Sequence, residues 1–400
     1  MSIVDKKILC VAYGGGHMRM LVPVALELEA RGAKPLLFPL NTAVKDASAS
    51  ALPMTTLSQV LGEMGTLDEL CELGRTIVCG ADHPAVSDED TFAYHGMGLH
   101  ELAAEHGLEE ARARFRADGR TAFEPVRWWC RIVGQIDPDI VVTTNAPRSE
   151  TAALKAARSL DIPSLCVSDH LIAYEVDYLS KPGHGDLVTV LGTGIAKYLA
   201  SHGRPEDEIR VTGNPAFDSL ANQEHKRAGE AFRQALNWGG KHVLLWPQQS
   251  KGVQVGGKPL IPSDAFGERF KRLLARDSGL RLIVRPHPNN TTDCFADTDE
   301  SVVEAREEPI EVLIHACDTV VQQSTTVGIS AALAGKRVVT VGNNGMPPFA
   351  EYGIAHDIPE LDPELASAAW QQPSNVAKLG APELGTAARN VANVIEQQLS

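Results

Sequence analysis

The chain has 400 residues, 44% of them hydrophobic and 22% charged, and a formal net charge of -14 at pH 7. That length exceeds a single hydrophobic core and predicts two globular domains. The negative charge argues against nucleic acid as a partner, since duplex binders present basic faces, but leaves room for a local basic pocket.

Residues 8–12 are an apolar run predicting a strand, followed by the turn Tyr13-Gly14-Gly15-Gly16-His17 and an apolar-periodic helix over 18–31. Glycines there let the backbone turn tightly and approach a ligand. The turn is not GxGxxG and no acidic residue closes the next strand, 35–38, so a nicotinamide site is not expected. At a helix entrance His17 suits a neutral general base, or else a capping or packing role. From 41 to 119 the pattern predicts helices over 57–64, 67–73, 99–105 and 108–116, with a polar connection over 83–98. An insertion of that length suits an acceptor pocket or lid. His83, His95, His100 and His106 are irregularly spaced and read as surface residues.

Regular β/α order returns with a helix over 122–135, a strand over 140–143 and the loop Thr144-Asn145-Ala146-Pro147-Arg148-Ser149-Glu150. Asn145, Arg148 and Glu150 are candidates for orienting a polar acceptor, and Asp169, after the strand 164–167, is a second acid/base candidate. Each equally fits a helix start or a turn. After strands over 187–191 and 209–212, Gly213-Asn214-Pro215 breaks the pattern and predicts the domain boundary, dividing the chain into 1–213 and 214–382.

The second half restarts the alternation. A strand over 242–246 runs into Pro247-Gln248-Gln249-Ser250, and a strand over 282–285 into Pro286-His287-Pro288. A third, 319–321, runs into Gln322-Gln323-Ser324-Thr325-Thr326, expected to open a helix ending at Gly335. In a parallel sheet these loops gather at one edge, where open α/β folds bind ligands. Helix-start N–H groups, the hydroxyls of Ser324, Thr325 and Thr326, the Arg285 fork and His287 together predict a phosphate seat. Gly15, Gly16, Asn214, Gln248 and Ser250 are further donor-side candidates. Residues 383–399 form an amphipathic helix expected to pack back on the first domain.

No apolar run approaches the roughly 18 residues of a bilayer span. The polar start of the chain predicts no secretory signal and so a cytoplasmic location. Seven cysteines without a CxxC pair or zinc spacing read as reduced thiols.

Three of these motifs resemble nucleotide-sugar enzymes of the GT-B architecture, in which two Rossmann-like domains face a cleft. Gly14-Gly15-Gly16-His17 resembles the glycine loop of the lipid II glycosyltransferase and of a nucleotide-sugar hydrolase of pseudaminic acid synthesis, whose histidine at the place of His17 is the base. Val211-Thr212-Gly213-Asn214-Pro215-Ala216-Phe217-Asp218 is similar to the interdomain segment of non-phosphorylating UDP-N-acetylglucosamine 2-epimerases. Arg285-Pro286-His287-Pro288 with Ser324-Thr325-Thr326 resembles the His-Pro and Ser/Thr pair of bacterial sialyl-, Kdo- and glycerophosphate-transferring enzymes, where they bind the donor nucleotide and its phosphate. UDP-sugar members carry a Glu in the helix after the phosphate seat, where this chain has Val327-Gly328-Ile329-Ser330-Ala331-Ala332-Leu333. The epimerases open with Arg-Pro-Glu, where this chain has Gly-His.

The resemblance implies a glycosyltransferase in surface polysaccharide, glycolipid or glycoconjugate synthesis, with the nucleotide-sugar as co-substrate and no cofactor. The acceptor it implies is a small molecule, a lipid-linked molecule or a glycan. With no DxD-type acidic pair at a strand end, no metal is expected. The alternatives are a nucleotide-sugar 2-epimerase or hydrolase and a non-catalytic nucleotide-sugar binding protein. Peripheral membrane contact and a homodimer are left open.

Overall fold

Runs such as Ile8-Leu9-Cys10-Val11-Ala12 and Leu282-Ile283-Val284, apolar at successive positions, suit strands covered on both faces. In the structure, a computed structural model, they are central strands of two parallel sheets. It describes residues 3–249, 254–255, 258–287, 295, 300–343, 345–361, 371 and 373–400, with backbone alone at 254, 255 and 258.

The first sheet contains β1 (Lys7–Tyr13), β2 (Lys34–Leu40), β3 (Ile140–Thr144), β4 (Ser164–Val167), β5 (Leu187–Val190) and β6 (Ile209–Val211), in the order β2-β1-β3-β4-β5-β6. The second half contributes β7 (His242–Pro247), a two-stranded ribbon of β8 (Gln254–Val255) and β9 (Lys258–Pro259), then β10 (Leu280–Arg285), β11 (Val302–Glu304), β12 (Thr319–Gln322), β13 (Arg337–Val341) and β14 (His356–Ile358). Its sheet runs β11-β10-β7-β12-β13-β14. Each order reverses once, between β1 and β3 and between β7 and β12, which marks the crevice of an open α/β sheet.

Alternation along β1 separates two cores. Leu9 and Val11 face a cluster with Trp129, Ile132 and Met97. Ile8 and Cys10 face the helix Gly15–Ala30 and the C-terminal helix Ala387–Gln398 through Leu21, Val24, Val391 and Ile395. Arg31 anchors that last helix by donating to Asn393 and Glu396. The chain divides into one unit of Met1–Leu191, Ile195–Ala216 and Thr386–Ser400, and another of Gly192–Gly194 and Phe217–Gly385.

The structure departs from the sequence pattern in the insertion. Most of the connection expected over 83–98 belongs to one long helix, Asp88–His106. Ser87 caps it by accepting from the Asp90 N–H, and three acidic residues occupy its first turn, complementing the helix dipole. Its glycines are packing residues rather than breakers. A Cβ on Gly96 would lie 1.8 Å from the Leu70 carbonyl oxygen, and one on Gly74 2.0 Å from that of Phe92, so this helix and Leu67–Arg75 touch backbone to backbone. Gly96→Ala should therefore lower stability by about 1–3 kcal/mol, measured by urea unfolding, through overpacking.

His95, expected at the surface, is buried on this helix, where burial lowers its pKa. The edge strands β11 and β14, of three residues each, were too short to show a period. Cys10, Cys71, Cys166 and Cys317 are buried and free, Cys130 half-buried and Cys79 exposed. Cys294 lies outside the described residues. Among those residues no helix is long and apolar enough to cross a membrane.

Candidate active site

In the first unit the reversal point joins the glycine turn after β1 to the carboxyl end of β3. The helix there begins at Gly15, earlier than the pattern predicts, because Gly14 takes φ 101° at its N-cap. This puts His17 in the first turn, with Nδ1 2.6 Å from Thr144 Oγ1. Thr144 donates its only hydroxyl proton to Glu150 Oε2 at 2.7 Å. The threonine oxygen therefore accepts from His17, which fixes the proton on Nδ1 and leaves Nε2 as a bare acceptor. Among the described residues Nε2 has no hydrogen-bond partner, and the ring is half-buried.

Glu150 is fully buried. Its Oε1 accepts from the Tyr13 N–H at 2.6 Å and its Oε2 also from the Ala146 N–H at 2.9 Å. Burial raises its pKa, while His17, the Thr144 hydroxyl and the two backbone donors act against that rise. Three donors converging on two oxygens match the ionised form. The turn that aims Glu150 inward is strained, since Arg148 holds φ 74° before the helix Ser149–Ser159. The Arg148 guanidinium lies 5.1 Å from the centre of the Tyr13 ring.

Asp169, after β4, exchanges hydrogen bonds with Asn145: Asn145 Nδ2 donates to its Oδ1 at 2.9 Å, and its N–H donates to Asn145 Oδ1 at 3.0 Å. His170 Nδ1 lies 2.8 Å from its other oxygen. Burial opposes the Asp169 charge, but His170, with help from His17 and Asn145, outweighs it and holds the pKa at about 2. A folded pKa below the unfolded one stabilises the fold above about pH 4, and that contribution is lost as pH falls through about 2. Asp169→Asn should thus cost about 2 kcal/mol at neutral pH and flatten the acid limb of stability, read by urea unfolding at a series of pH values.

In the second unit the reversal point joins the ends of β7 and β12. The Ser324 N–H donates to Gln249 Oε1 at 3.2 Å, and the Gln323 amide pairs with both N–H and C=O of Ile261. Gln322 is fully buried, with neither amide atom partnered among the described residues, and is packed where a Cβ on Gly328 would come within 2.3 Å of its Nε2. Glycine at 328 is thus what admits the amide.

No family model and no curated protein matches the sequence. Solved structures match along the whole chain. UDP-GlcNAc 2-epimerase from Methanocaldococcus jannaschii is 14% identical over 97% of this chain and 99% of its own, with a TM-score of 0.61. The Neisseria meningitidis UDP-GlcNAc 2-epimerase bound to UDP-GlcNAc is 15% identical over 98% and 99%, with a TM-score of 0.60. The glycosyltransferase of kitacinnamycin is 16% identical over 99% and 100%, with a TM-score of 0.57. The fold is GT-B. At these identities the likeness describes architecture, and the chemistry has to be argued from this chain's own residues.

Within the GT-B frame, His17 stands at the first reversal point beside Gly15 and Gly16. Gly15 N–H is held by Thr42 Oγ1, while Gly16 faces open space. Asn145 and Glu150, expected to touch an acceptor, are 2% and 0% exposed, with Asn145 engaged on Asp169 and Glu150 on three donors. They support the surface rather than form it. Asn214 belongs to the first unit, buried, its Oδ1 accepting from Ala216 N–H.

Gln248 is buried, and Ser250 lies outside the described residues, as does Pro288. Arg285 donates from Nη1 to the carbonyls of Ala305 and Arg306, bracing the chain after β11. His287 is half-buried, and burial lowers its pKa, which favours a neutral imidazole. The helix expected to open at Ser324 instead spans Val327–Leu333. Thr326 is its N-cap, and Thr325 Oγ1 accepts from the Val327 N–H, so Ser324, Thr325 and Thr326 form the turn that leads into the helix N-terminus. Thr144, which links histidine to carboxylate, was missed by sequence reading; its signal was a pair of hydroxyls, Thr143 and Thr144, closing a strand that begins apolar.

Proposed function

We propose that this chain is a nucleotide-sugar-dependent glycosyltransferase in which His17 Nε2 is the general base. The carrying observation is the chain of contacts His17 Nδ1, Thr144 Oγ1, Glu150 Oε2 at 2.6 and 2.7 Å, which leaves Nε2 bare and puts a buried carboxylate behind it. Nε2 takes the proton of an acceptor hydroxyl. The acceptor oxygen forms a bond to the anomeric carbon as the bond from that carbon to the donor phosphate breaks, releasing the nucleotide. Glu150, through Thr144, stabilises the imidazolium formed. His287 and the hydroxyls of Ser324, Thr325 and Thr326 are the proposed donors to the leaving phosphate in the second unit. Asp169 is excluded as base in this scheme, because a carboxylate held at a pKa of about 2 has little affinity for a proton at neutral pH.

The epimerase likeness supports a second reading, in which the same donor reacts without an acceptor. A thermal-shift panel of UDP, CDP, CMP, GDP and TDP should show one clear rise in melting temperature, since a ligand of the folded state stabilises it according to its affinity. Incubating the matching nucleotide-sugar alone then separates the readings. Transfer predicts slow nucleotide release that an acceptor accelerates, whereas rapid release or interconversion of the sugar without acceptor would remove the transferase reading.

A further inference from the structure

Beside the glycine turn the first unit contains a cavity of about 900 Å³, walled by the ends of β1 and β2, the segment 77–83 and the helix Asp88–His106. That volume is at the upper end for small-molecule sites. Most of its lining residues lie in the insertion 41–119, where an acceptor pocket or lid was expected, and none is one of the acceptor candidates Asn145, Arg148 and Glu150.

Its chemistry is uneven. Leu57, Val78, Val86, Tyr94 and Phe115 supply an apolar and aromatic wall. At the turn end, Tyr13 Oη accepts from Arg120 Nη1 at 2.6 Å and from Asn41 Nδ2 at 2.7 Å. A phenol has two lone pairs and one proton. With both lone pairs occupied, Tyr13 presents its O–H as a donor, and that proton has no acceptor among the described residues. The Tyr13 backbone N–H is held by Glu150, and Thr42, another lining residue, holds the Gly15 N–H, so the cavity shares its rim with the turn that carries His17.

Charge narrows the ligand further. Asp82, Asp88 and Asp90 line the cavity against the one guanidinium of Arg120, with His83 and His95 as the remaining titratable neighbours apart from Tyr13, Tyr94 and the Cys79 thiol. Asp88 holds the Ala81 N–H, and Asp90 holds the Ser58 N–H and the Ser87 hydroxyl, so both are fixed as acceptors. Arg120 is engaged on Tyr13. Among the described lining residues three carboxylates face this single cation, and the Arg148 guanidinium, outside the lining, lies on the Tyr13 ring, so an anionic ligand would meet net negative charge at the wall.

We infer that this cavity binds a compact, uncharged molecule with an aromatic or otherwise apolar body and one oxygen that accepts from the Tyr13 hydroxyl. That this molecule is the acceptor substrate rests on the transferase reading; the binding itself does not. It favours a free small molecule over a phosphorylated lipid carrier or an acidic glycan.

The test is calorimetric titration of the full chain with 2-naphthol, 2-methylnaphthalene and 2-naphthoate. 2-Naphthol should bind saturably at one per chain, and 2-naphthoate about tenfold more weakly or less. Tyr13→Phe should weaken 2-naphthol by about tenfold and leave 2-methylnaphthalene unchanged, the signature of one lost hydrogen bond. Val78→Trp and, independently, Val86→Trp should weaken all three by filling the space, without lowering the melting temperature. Absence of 2-naphthol binding, preference for 2-naphthoate, or indifference to both tryptophan variants would overturn the inference. Binding of 2-naphthol by a protein that responds to no nucleotide would support the cavity while removing the transferase reading. A nucleotide response without naphthol binding would remove the cavity inference alone.

Discussion

His17→Ala is expected to lower kcat by about 10²–10⁴-fold, the usual worth of a positioned acid/base group, while leaving nucleotide binding and melting temperature near those of the parent. Its ring is half-buried and only Nδ1 is engaged, so truncation removes one contact to Thr144 and little packing. The measurement is initial rate against acceptor concentration, with the thermal-shift response to nucleotide run in parallel. A fall confined to kcat and kcat/KM, with the nucleotide response kept, identifies loss of a group acting in the transition state. An unchanged kcat would leave His17 a packing residue.

Glu150→Gln carries the second large effect and tests a different link. Glutamine keeps the shape but brings an NH2 to face Thr144 and the Ala146 N–H, or else the Tyr13 N–H, all of which are donors to the carboxylate now. One buried donor then faces another, at an expected cost of about 1–3 kcal/mol in stability. Loss of the charge also destabilises the imidazolium. The rise of kcat/KM with pH, which follows deprotonation of the base, should move to lower pH, and the plateau should fall by about 10–10³-fold. Thr144→Val, which cuts the link and keeps the carboxylate, should lower kcat in the same direction with a smaller stability cost. If neither variant moves the pH profile, the carboxylate acts only as a clamp on the turn.

The sheets were legible because buried parallel strands must be apolar on both faces, and the runs at Ile8–Ala12 and Leu282–Val284 say so residue by residue. The glycine turn was legible for a related reason, since only a chain approaching something closely needs Gly14-Gly15-Gly16 in sequence. His17 followed from its place at the helix entrance. What the sequence hid was depth. Glu150 and Asn145 read as loop residues facing a ligand, yet the Arg148 turn folds both beneath the surface, where they hold Tyr13, Thr144 and Asp169. Thr144 became visible only when β1 and β3 were placed side by side, because a partner 127 residues away leaves no local pattern.

Similar physics explains the helices. The polar residues over 83–98 read as a connection, but most of them belong to Asp88–His106, where the lack of a Cβ serves close packing, by Gly96 on the Leu70 backbone and by Gly98 on the Phe123 ring. At Ser324-Thr325-Thr326, expected at the helix start, the Thr325 hydroxyl accepts from the Val327 N–H in a turn, and the helix begins at Val327 with Thr326 as its N-cap.

Nitrogen-15 NMR of histidine-labelled protein near neutral pH tests the central claim most directly, because it reads which ring nitrogen of His17 carries the proton. The account predicts a protonated Nδ1 and a bare Nε2 in the parent, with that preference weakened in Thr144→Val. A proton resident on Nε2 in the parent would contradict it, since no base would then face the acceptor.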